Sequence, residues 1–527
     1  MTTNNMQASP SSSSASLDEL ADIDTTLRQL DAEMRRLERK MFSIKDRSRR
    51  LRERRRLLTP SAPWILRLPD EVLAQCLLRG TQAIGNSPSA STPTSVRRDR
   101  VKLPIAVSQV CKQWRNAALN LPTLWNYIDM REGRPYDRTL VWLKRSRNAV
   151  LDIDLDYRDQ LTKPEAYFQR NFLITLNVIL PTMGRWGSLC VNAPTELVQT
   201  ALHVFTSPAP MLQSLILKGW TDPAQQQQPV RDMPPTIFAS QTPKLRYVYL
   251  REMGLRWDTC VFSGLKELTL SRVPHEHVPN VAQFSRMMEV SAPGLQRLTI
   301  VGAGPRPMPS NNTPMTPQHS KGRNTGYQVT LPRLLELRLE DLEVGEIRTL
   351  VSLLTTPALR KLALAKIDDD DHMEDMERGI APNTEWQPQQ LPYLTDLIYV
   401  DVPVTSDLFQ IICRAGPNIS RLHIRGEATN AILQYLTPEP LLLMPGEEEM
   451  FLPRLSALEM DEASAETVRA FIDARTTTLR EVKGSILNER RIKSKGVLSG
   501  DDAVRHLGWQ RNSNIHVAIQ PAQPLAQ

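Results

Sequence analysis

Acidic and histidine-bearing clusters are the places where this sequence could support catalysis or metal binding. Asp152, Asp154 and Asp156 alternate with apolar residues, so they would share one face of a β-strand, where carboxylates can bind a cation. The acidic run at 368–375 contains His372 and could also ligate a divalent ion, but its spacing matches no closed metal site. Because alternate residues of an edge strand normally face water, we predict a solvated aspartate face at 151–156 and no bound metal.

The motifs that carry common enzyme chemistry are absent from the sequence. It contains no GxxxxGK[ST] phosphate loop, no GxGxxG turn, no GxSxG elbow and no HExxH helix. The eight histidines are dispersed, and the closest pair, His275 and His277, flanks Glu276 in a proline-bounded turn where a surface role fits better than a ligand role. We therefore predict a protein that is not an enzyme and needs no cofactor.

Length and composition predict a protein of two or three domains without a membrane-spanning segment. The chain has 527 residues, 41% of them apolar, which is enough for a sizeable core. No apolar run approaches the roughly 20 residues of a membrane span, and the N-terminus lacks the charged and apolar regions of a secretory signal. The five cysteines are scattered without a CxxC pair, which predicts reduced thiols rather than disulfides or zinc ligands. We expect the protein in the cytoplasm, the nucleus or both, with no membrane partner.

A coiled-coil helix is predicted at 17–60, after a serine-rich segment, 1–16, that is predicted to be disordered. Apolar residues recur with alternating spacings of three and four, which is the a/d repeat of a coiled coil. The seam residues are Leu20, Ile23, Leu27, Leu30, Met34, Leu37, Met41 and Ile44. A single heptad helix cannot bury its own seam, so the partner would be a second copy or another part of this chain.

Charge is unevenly distributed along this helix. Residues 18–38 carry seven acidic and three basic side chains, whereas 39–56 carry ten basic and two acidic side chains. Antiparallel pairing would bring opposite charges together, so it is favoured over parallel pairing. The basic cluster at 45–56 could bind nucleic acid or act as a nuclear-import signal. It follows the heptads instead of preceding them, as it would in a basic zipper, and no aromatic residues interleave it. A solvated helix face is the favoured interpretation, and nucleic acid is not an expected partner.

Two apolar-patterned pieces, Leu68–Leu78 and Leu103–Ile128, predict a small helical module. In the first, Val72, Leu73, Cys76 and Leu77 recur at one-turn spacing after a capping Asp70. In the second, the side chains predicted to share one face of a helix that ends before Pro122 are Val107, Val110, Cys111 and Trp114. So many apolar residues cannot all be buried within two or three short helices, which predicts a surface for a partner.

The order LPDEVL, then VCKQWR, then LPTLW resembles an F-box, the module by which a ubiquitin-ligase subunit docks on a Skp-type adaptor and through it on a cullin. The resemblance covers 64–130. It implies adaptor contacts by Leu68, Pro69, Val72, Leu73, Leu77, Val110, Cys111, Trp114, Leu124 and Trp125. The segment Arg79–Arg100 is longer than the family's usual connection, and its Gly85, Pro88 and Pro93 predict an extruded loop. An ordinary three-helix core fragment is the alternative.

From about residue 185 the sequence repeats the pattern LxxLxL nine times, and the predicted repeat domain spans 131–483. Eight of the nine units place a proline two residues before the first apolar position, which predicts that each unit starts a new short strand. Helical patterns often lie between the strands. The units resemble degenerate leucine-rich repeats without the family's asparagine ladder. Polar insertions interrupt them at 222–235, 303–326 and 368–390, and a polar tail follows at 484–527.

The predicted fold class is α/β: an N-terminal coiled-coil helix, a small helical F-box, then an irregular leucine-rich-repeat-like parallel-sheet solenoid. This combination resembles the F-box families of mushroom-forming fungi. The resemblance implies a substrate-receptor subunit of a Skp/cullin/F-box ubiquitin ligase, with an unidentified protein substrate on the repeats. The alternatives are a repeat scaffold dimerised by the coiled coil with no link to ubiquitin, and a nucleic-acid-associated protein that uses 45–56.

Overall fold

The computed structural model describes thirteen segments of the chain. These are 12–58, 68–83, 94–130, 136–158, 165–220, 236–257, 262–306, 327–368, 390–402, 408–437, 451–475, 478–486 and 516–521. The chain divides into two compact units, Met1–Cys76 and Leu77–Gln527. None of the described helices has the length and apolar character needed to cross a membrane.

The first unit consists mainly of one long helix, α1 (Ser12–Leu58). The helix predicted at 17–60 is therefore present, with bounds Ser12–Leu58. Of the segment 1–16 that was predicted to be disordered, residues 1–11 lie outside the described residues. Polar and charged residues dominate the helix apart from the regularly spaced apolar positions of the predicted seam. The unit also contains the first half of α2 (Asp70–Ala83).

The second unit is built on a 14-stranded parallel sheet whose strands lie side by side in chain order. The strands are β1 (Tyr127–Asp129), β2 (Leu151–Asp156), β3 (Trp186–Asn192), β4 (Ser214–Lys218), β5 (Tyr247–Arg251), β6 (Glu267–Ser271), β7 (Arg297–Val301), β9 (Glu336–Glu343), β11 (Lys361–Asp368), β12 (Asp396–Val400), β13 (Arg421–Arg425), β14 (Ala457–Ala463), β15 (Glu481–Ile486) and β16 (His516–Pro521). Two short strands, β8 (Val329–Thr330) and β10 (Leu354–Thr355), form a separate parallel pair. All nine predicted repeat units contribute a strand to the large sheet.

A turn built around the repeated proline precedes most of the nine repeat strands. The N–H of Leu212 donates to the carbonyl of Ala209, three residues earlier, which closes a β-turn. The same hydrogen bond is present in seven of the nine units, and proline is the second residue of the turn each time. Proline is favoured at the second position of such a turn because its ring fixes the backbone φ that the turn requires. The residue after this turn donates its backbone N–H to the carbonyl of the residue at the equivalent position near the start of the preceding strand. Examples are Gln213 N–H to the Gly187 carbonyl and Arg246 N–H to the Gln213 carbonyl. Ten such bonds, 2.7–3.0 Å long, run to Arg480. These backbone hydrogen bonds join the starts of neighbouring repeat strands along the sheet.

The second unit also contains the other helices. They are α3 (Thr94–Val110), α4 (Lys112–Leu119), α5 (Asp137–Arg145), α6 (Glu165–Ile179), α7 (Thr195–Val204), α8 (Val281–Ser291), α9 (Val344–Leu353), α10 (Leu408–Ala415), α11 (Thr429–Tyr435) and α12 (Ala465–Ala474). The sequence predicted that helices often lie between the strands. No α-helix occurs among the described residues between β4 and β6, where a 3-10 helix (Phe238–Ser240) and turns make the connections.

Helices cover the face of the sheet that carries the repeated leucines. Leu337 and Leu362 on the strands line one apolar cavity together with Ile347 of α9 and Ile412 of α10. Tyr399 of β12 meets Phe409 of α10 edge to face, with ring centroids 5.3 Å apart. Since the side chains of a strand alternate between its faces, the residues between the leucines lie on the opposite face.

Three predicted boundaries differ from the structure. The sheet begins at β1, inside the predicted F-box-like segment 64–130, and β16 lies in the predicted polar tail. The predicted loop Arg79–Arg100 is helical at 79–83 and 94–100, leaving only 84–93 outside the described residues. Of the predicted insertions, 222–235 lies wholly outside the described residues, as does most of 303–326 and 368–390.

Candidate functional site

Two arginines of α3 lie against the three aspartates of β2. Arg97 Nη1 lies 2.5 Å from Asp156 Oδ2, and its Nε lies 3.4 Å from Asp154 Oδ2. One helical turn later, Arg100 Nη2 lies 2.5 Å from Asp152 Oδ2. Arg97, Asp154 and Asp156 are buried, and Arg100 and Asp152 are nearly so. The helix therefore covers the polar face of the sheet at its first strands.

Hydrogen bonds from neighbouring strands complete this buried charge cluster. The Tyr127 hydroxyl on β1 donates to Asp154 Oδ2 at 2.6 Å, and Ser188 Oγ on β3 donates to Asp152 Oδ1 at 3.0 Å. Asn192 Nδ2 donates to Asp156 Oδ1 at 3.3 Å. The Arg100 guanidinium also stacks 4.2 Å from the centre of the Tyr127 ring. Side chains of three adjacent strands and one helix are thus fixed by a single network.

Burial and pairing shift the titration of these groups. Burial alone would raise the pKa of Asp156, but hydrogen bonds from Arg158 and the charges of Arg158 and Arg97 outweigh it and hold that pKa below its usual range. Burial alone would lower the pKa of Arg97, but the charges of Asp154 and Asp156 raise it. Burial, together with Asp154, raises the pKa of Tyr127 far above its ordinary value. Asp156 and Arg97 are therefore charged, and Tyr127 is neutral, at neutral pH.

The prediction of a solvated aspartate face was wrong because β2 is not an edge strand. It pairs with β1 and β3, and α3 covers its polar face. Arg97 and Arg100 were not among the predicted site residues, because both fall in the segment Arg79–Arg100 that was predicted to be a loop. Their signal was the basic run RRDR at 97–100, whose two terminal arginines lie one helical turn apart and match the alternating aspartates of 151–156 in charge.

The residues expected to contact an adaptor divide into buried and exposed groups. Buried are Leu73, Leu77, Leu124 and Trp125, and half-buried are Leu68, Cys111 and Trp114. Pro69, Val72 and Val110 are exposed, Val110 by 57% and Val72 by 43%. Ile105, which the resemblance does not include, is also exposed, by 37%. Available apolar surface thus comes from fewer positions of the motif than the sequence predicted.

Trp125 is buried and contacts residues of both α4 and α5. Its Nε1 donates to the Ala118 carbonyl at 2.8 Å, and its ring meets Trp142 of α5 edge to face at 5.5 Å. The Arg145 guanidinium lies 4.4 Å from the centre of the same ring. These contacts tie the 3-10 helix Pro122–Trp125 to both neighbouring helices.

The helix predicted to continue through Cys111 breaks there. Cys111 adopts an extended conformation, with φ −157°, so α3 ends at Val110 and α4 begins at Lys112. Arg115 Nε spans the break by donating to the Ser108 carbonyl at 2.8 Å. Val107 is buried while Val110 is exposed, so the four residues predicted to share one face do not do so. The indole N–H of Trp114 is buried without a hydrogen-bond partner in the described part of the chain.

A row of alternating charges crosses the polar face of the sheet beyond the helix-covered strands. Strand register places Glu267, Arg297, Glu336, Lys361, Asp396 and Arg421 side by side, and we name these six residues the charge ladder. Arg297 Nε lies 2.9 Å from Glu267 Oε2, Lys361 Nζ lies 2.9 Å from Glu336 Oε1, and Arg421 pairs with Asp396. Three positive and three negative charges leave this partly exposed row neutral overall.

The histidine, cysteine and carboxylate side chains of the described residues do not form a metal centre. No group of three or more histidine, cysteine, aspartate or glutamate side chains among them is arranged to hold a metal ion. Burial raises the pKa of Cys190 and of Cys413 to about 12, so neither thiol ionises near neutral pH. His277 contributes its carbonyl oxygen, which accepts a 2.8 Å hydrogen bond from Trp257 Nε1. The acidic run 369–375 lies outside the described residues.

Comparison with models of known protein families finds no matching family, and comparison with curated proteins finds no match. The fold and the site define an α/β protein with a long N-terminal helix and a large parallel sheet, one face of which is polar and partly covered by α3.

Proposed function

We propose that the chain is a substrate-receptor subunit of a Skp/cullin/F-box ubiquitin ligase. The observation that carries the proposal is that some F-box-like residues are buried and pack the short helices, whereas others are exposed. Leu124 and Trp125 are buried and hold the short helices together, whereas Val110 exposes 57% of its surface at the end of α3. An exposed valine at the end of a packed helix is surface that an adaptor can bury.

The repeat sheet supports the receptor half of the proposal. Its parallel strands follow in chain order, a strand order that agrees with a degenerate leucine-rich-repeat solenoid. The charge ladder and its neighbours offer a long polar surface for a folded or extended protein segment. Because the six charges cancel, selection of a substrate would depend on the local match of charges rather than on net attraction. The chain would act by holding substrate near a ubiquitin-charged enzyme, without bond chemistry of its own.

Co-purification of the full chain with a Skp-type adaptor tests this proposal. Val110→Asp places a charge on the exposed surface of α3 and is expected to weaken adaptor binding at least tenfold without unfolding the chain. The matched control is Leu140→Asp on α5, since Leu140 is 50% exposed but lies outside the F-box-like residues. The control is expected to bind the adaptor normally.

The proposal is overturned if the folded wild-type chain binds no Skp-type adaptor, or if Val110→Asp and Leu140→Asp bind it equally well. The first of these outcomes leaves the repeat sheet as a protein-binding scaffold with no link to ubiquitin. Circular dichroism and a thermal melt of each variant establish that a loss of binding does not come from unfolding.

A further inference from the structure

The apolar face of α1 is exposed along a regular series of positions in the described part of the helix. Its eight seam residues, Leu20, Ile23, Leu27, Leu30, Met34, Leu37, Met41 and Ile44, are each 48–66% exposed. They follow one another at spacings of three and four along a 47-residue helix about 70 Å long. Such a stripe is the contact surface of a coiled coil, and a second helix is required to bury it.

The spacing of the seam is the same in both directions. Read from either end it is 3, 4, 3, 4, 3, 4, 3, with its centre at residue 32. Two antiparallel copies crossing at that centre therefore align every seam residue with a partner. The four layers are Leu20 with Ile44, Ile23 with Met41, Leu27 with Leu37 and Leu30 with Met34, and each occurs twice. A two-fold axis through residue 32 generates one self-complementary contact, as a symmetric dimer requires.

Charge decides between the two possible directions. The segment 45–56 has eight basic and two acidic residues, a net charge of +6, and 18–27 has four acidic residues and no basic one. Parallel pairing would place the two +6 segments side by side, and the two −4 segments as well. Antiparallel pairing separates the basic segments by most of the length of the helix and places Glu19 and Asp24 near Lys40 and Lys45 of the other copy.

We propose that α1 binds a second copy of this chain as an antiparallel two-stranded coiled coil centred on residue 32. The dimer then contains two repeat sheets, one from each chain. Because the helices are antiparallel, the two chains continue from opposite ends of the coiled coil. This inference goes beyond the proposed receptor function and does not depend on it.

Light scattering of the full chain during gel filtration measures the stoichiometry. The wild-type mass is expected to be that of two chains, and Leu27→Ser combined with Leu30→Ser is expected to halve it. Phe42→Ser is the matched control, because Phe42 is on the same helix, is 76% exposed and lies off the seam. The control is expected to remain dimeric. A monomeric wild-type chain, or a dimer that survives the double substitution, overturns the proposal.

Cysteine cross-linking measures the direction. In a full chain whose Cys76, Cys111 and Cys260 are replaced by serine, Leu20→Cys and Ile44→Cys are made as separate variants. After the two variants are mixed and allowed to exchange subunits, oxidation is expected to give a disulfide-linked dimer, whereas neither variant alone gives one. Cross-linking of each variant with itself indicates parallel helices and overturns the antiparallel arrangement. Adaptor binding is measured separately, so failure here is distinguishable from failure of the receptor function.

Discussion

The Arg97 guanidinium on α3 and the Asp156 carboxylate on β2 form a buried ion pair with a separation of 2.5 Å between Nη1 and Oδ2. The two residues are 59 positions apart in the chain. Through this pair and the one between Arg100 and Asp152, the sheet fixes the helix that ends at Val110. Under the proposed function, the adaptor-binding surface on α3 would thereby be held at a constant position relative to the repeat strands.

Removal of Arg97 is expected to destabilise the second unit strongly. Arg97→Ala leaves Asp154 and Asp156 buried without their shared cation, which typically costs about 3–5 kcal/mol of unfolding free energy. Urea unfolding followed by circular dichroism measures the loss. Arg98→Ala is the control, because Arg98 is exposed, and it is expected to change stability by less than about 0.5 kcal/mol. Equal effects of the two substitutions would contradict the buried cluster.

Asp156 is expected to make stability depend on acid pH. Its pKa is lowered in the folded protein, where hydrogen bonds from Arg158 and the charges of Arg158 and Arg97 overcome the opposing effect of burial. A group with a depressed folded pKa contributes stability above its unfolded pKa of about 4, and that contribution is lost as pH falls through the folded value. The stability difference between wild type and Asp156→Asn should therefore be largest near pH 6 and shrink below pH 4. A difference that stays constant between pH 6 and pH 3 would count against this assignment.

Reversal of one charge in the ladder is expected to cost modest, salt-dependent stability. Arg297→Glu removes the attraction to Glu267 and Glu336 on either side and creates repulsion, for a loss of about 1–2 kcal/mol. Because the side chains are partly exposed, the loss should shrink in 1 M NaCl, where the Debye length is about 3 Å. Urea titrations at low and high salt provide the comparison. Arg286→Glu on α8, also exposed, serves as the control with little expected effect.

Replacement of Gly426, which follows directly after β13, is expected to destabilise the fold. Its φ is +101°, and an added Cβ would lie 2.7 Å from Asp401 Oδ1 and 3.1 Å from Asp401 Cα. Gly426→Ala should lower the unfolding free energy by about 1–3 kcal/mol through strain and the close backbone contact. Gly184→Ala is the matched control, since an added Cβ there meets no atom within 4 Å. Thermal melts that show the same midpoint for both variants would refute the strained position.

The sequence alone determined the elements whose pattern is local. The alternating spacing of three and four predicts α1, and the LxxLxL units with their prolines predict the nine repeat strands, all of which lie in one parallel sheet. Both patterns follow directly from backbone geometry, since a helix brings every third or fourth residue to one face and a strand brings every second residue there. These elements are predictable because each one carries its own periodicity.

Only the tertiary structure decided what covers each face. Alternating aspartates at 152–156 have the same pattern whether they face water or a helix, and their arginine partners lie more than 50 residues away in a segment whose prolines suggested a loop. The break at Cys111 and the burial of Leu73 beside the exposed Val72 likewise depend on packing. A periodic pattern states which residues share a face, but the contact that buries that face is made by distant residues, and its energy is set by their geometry.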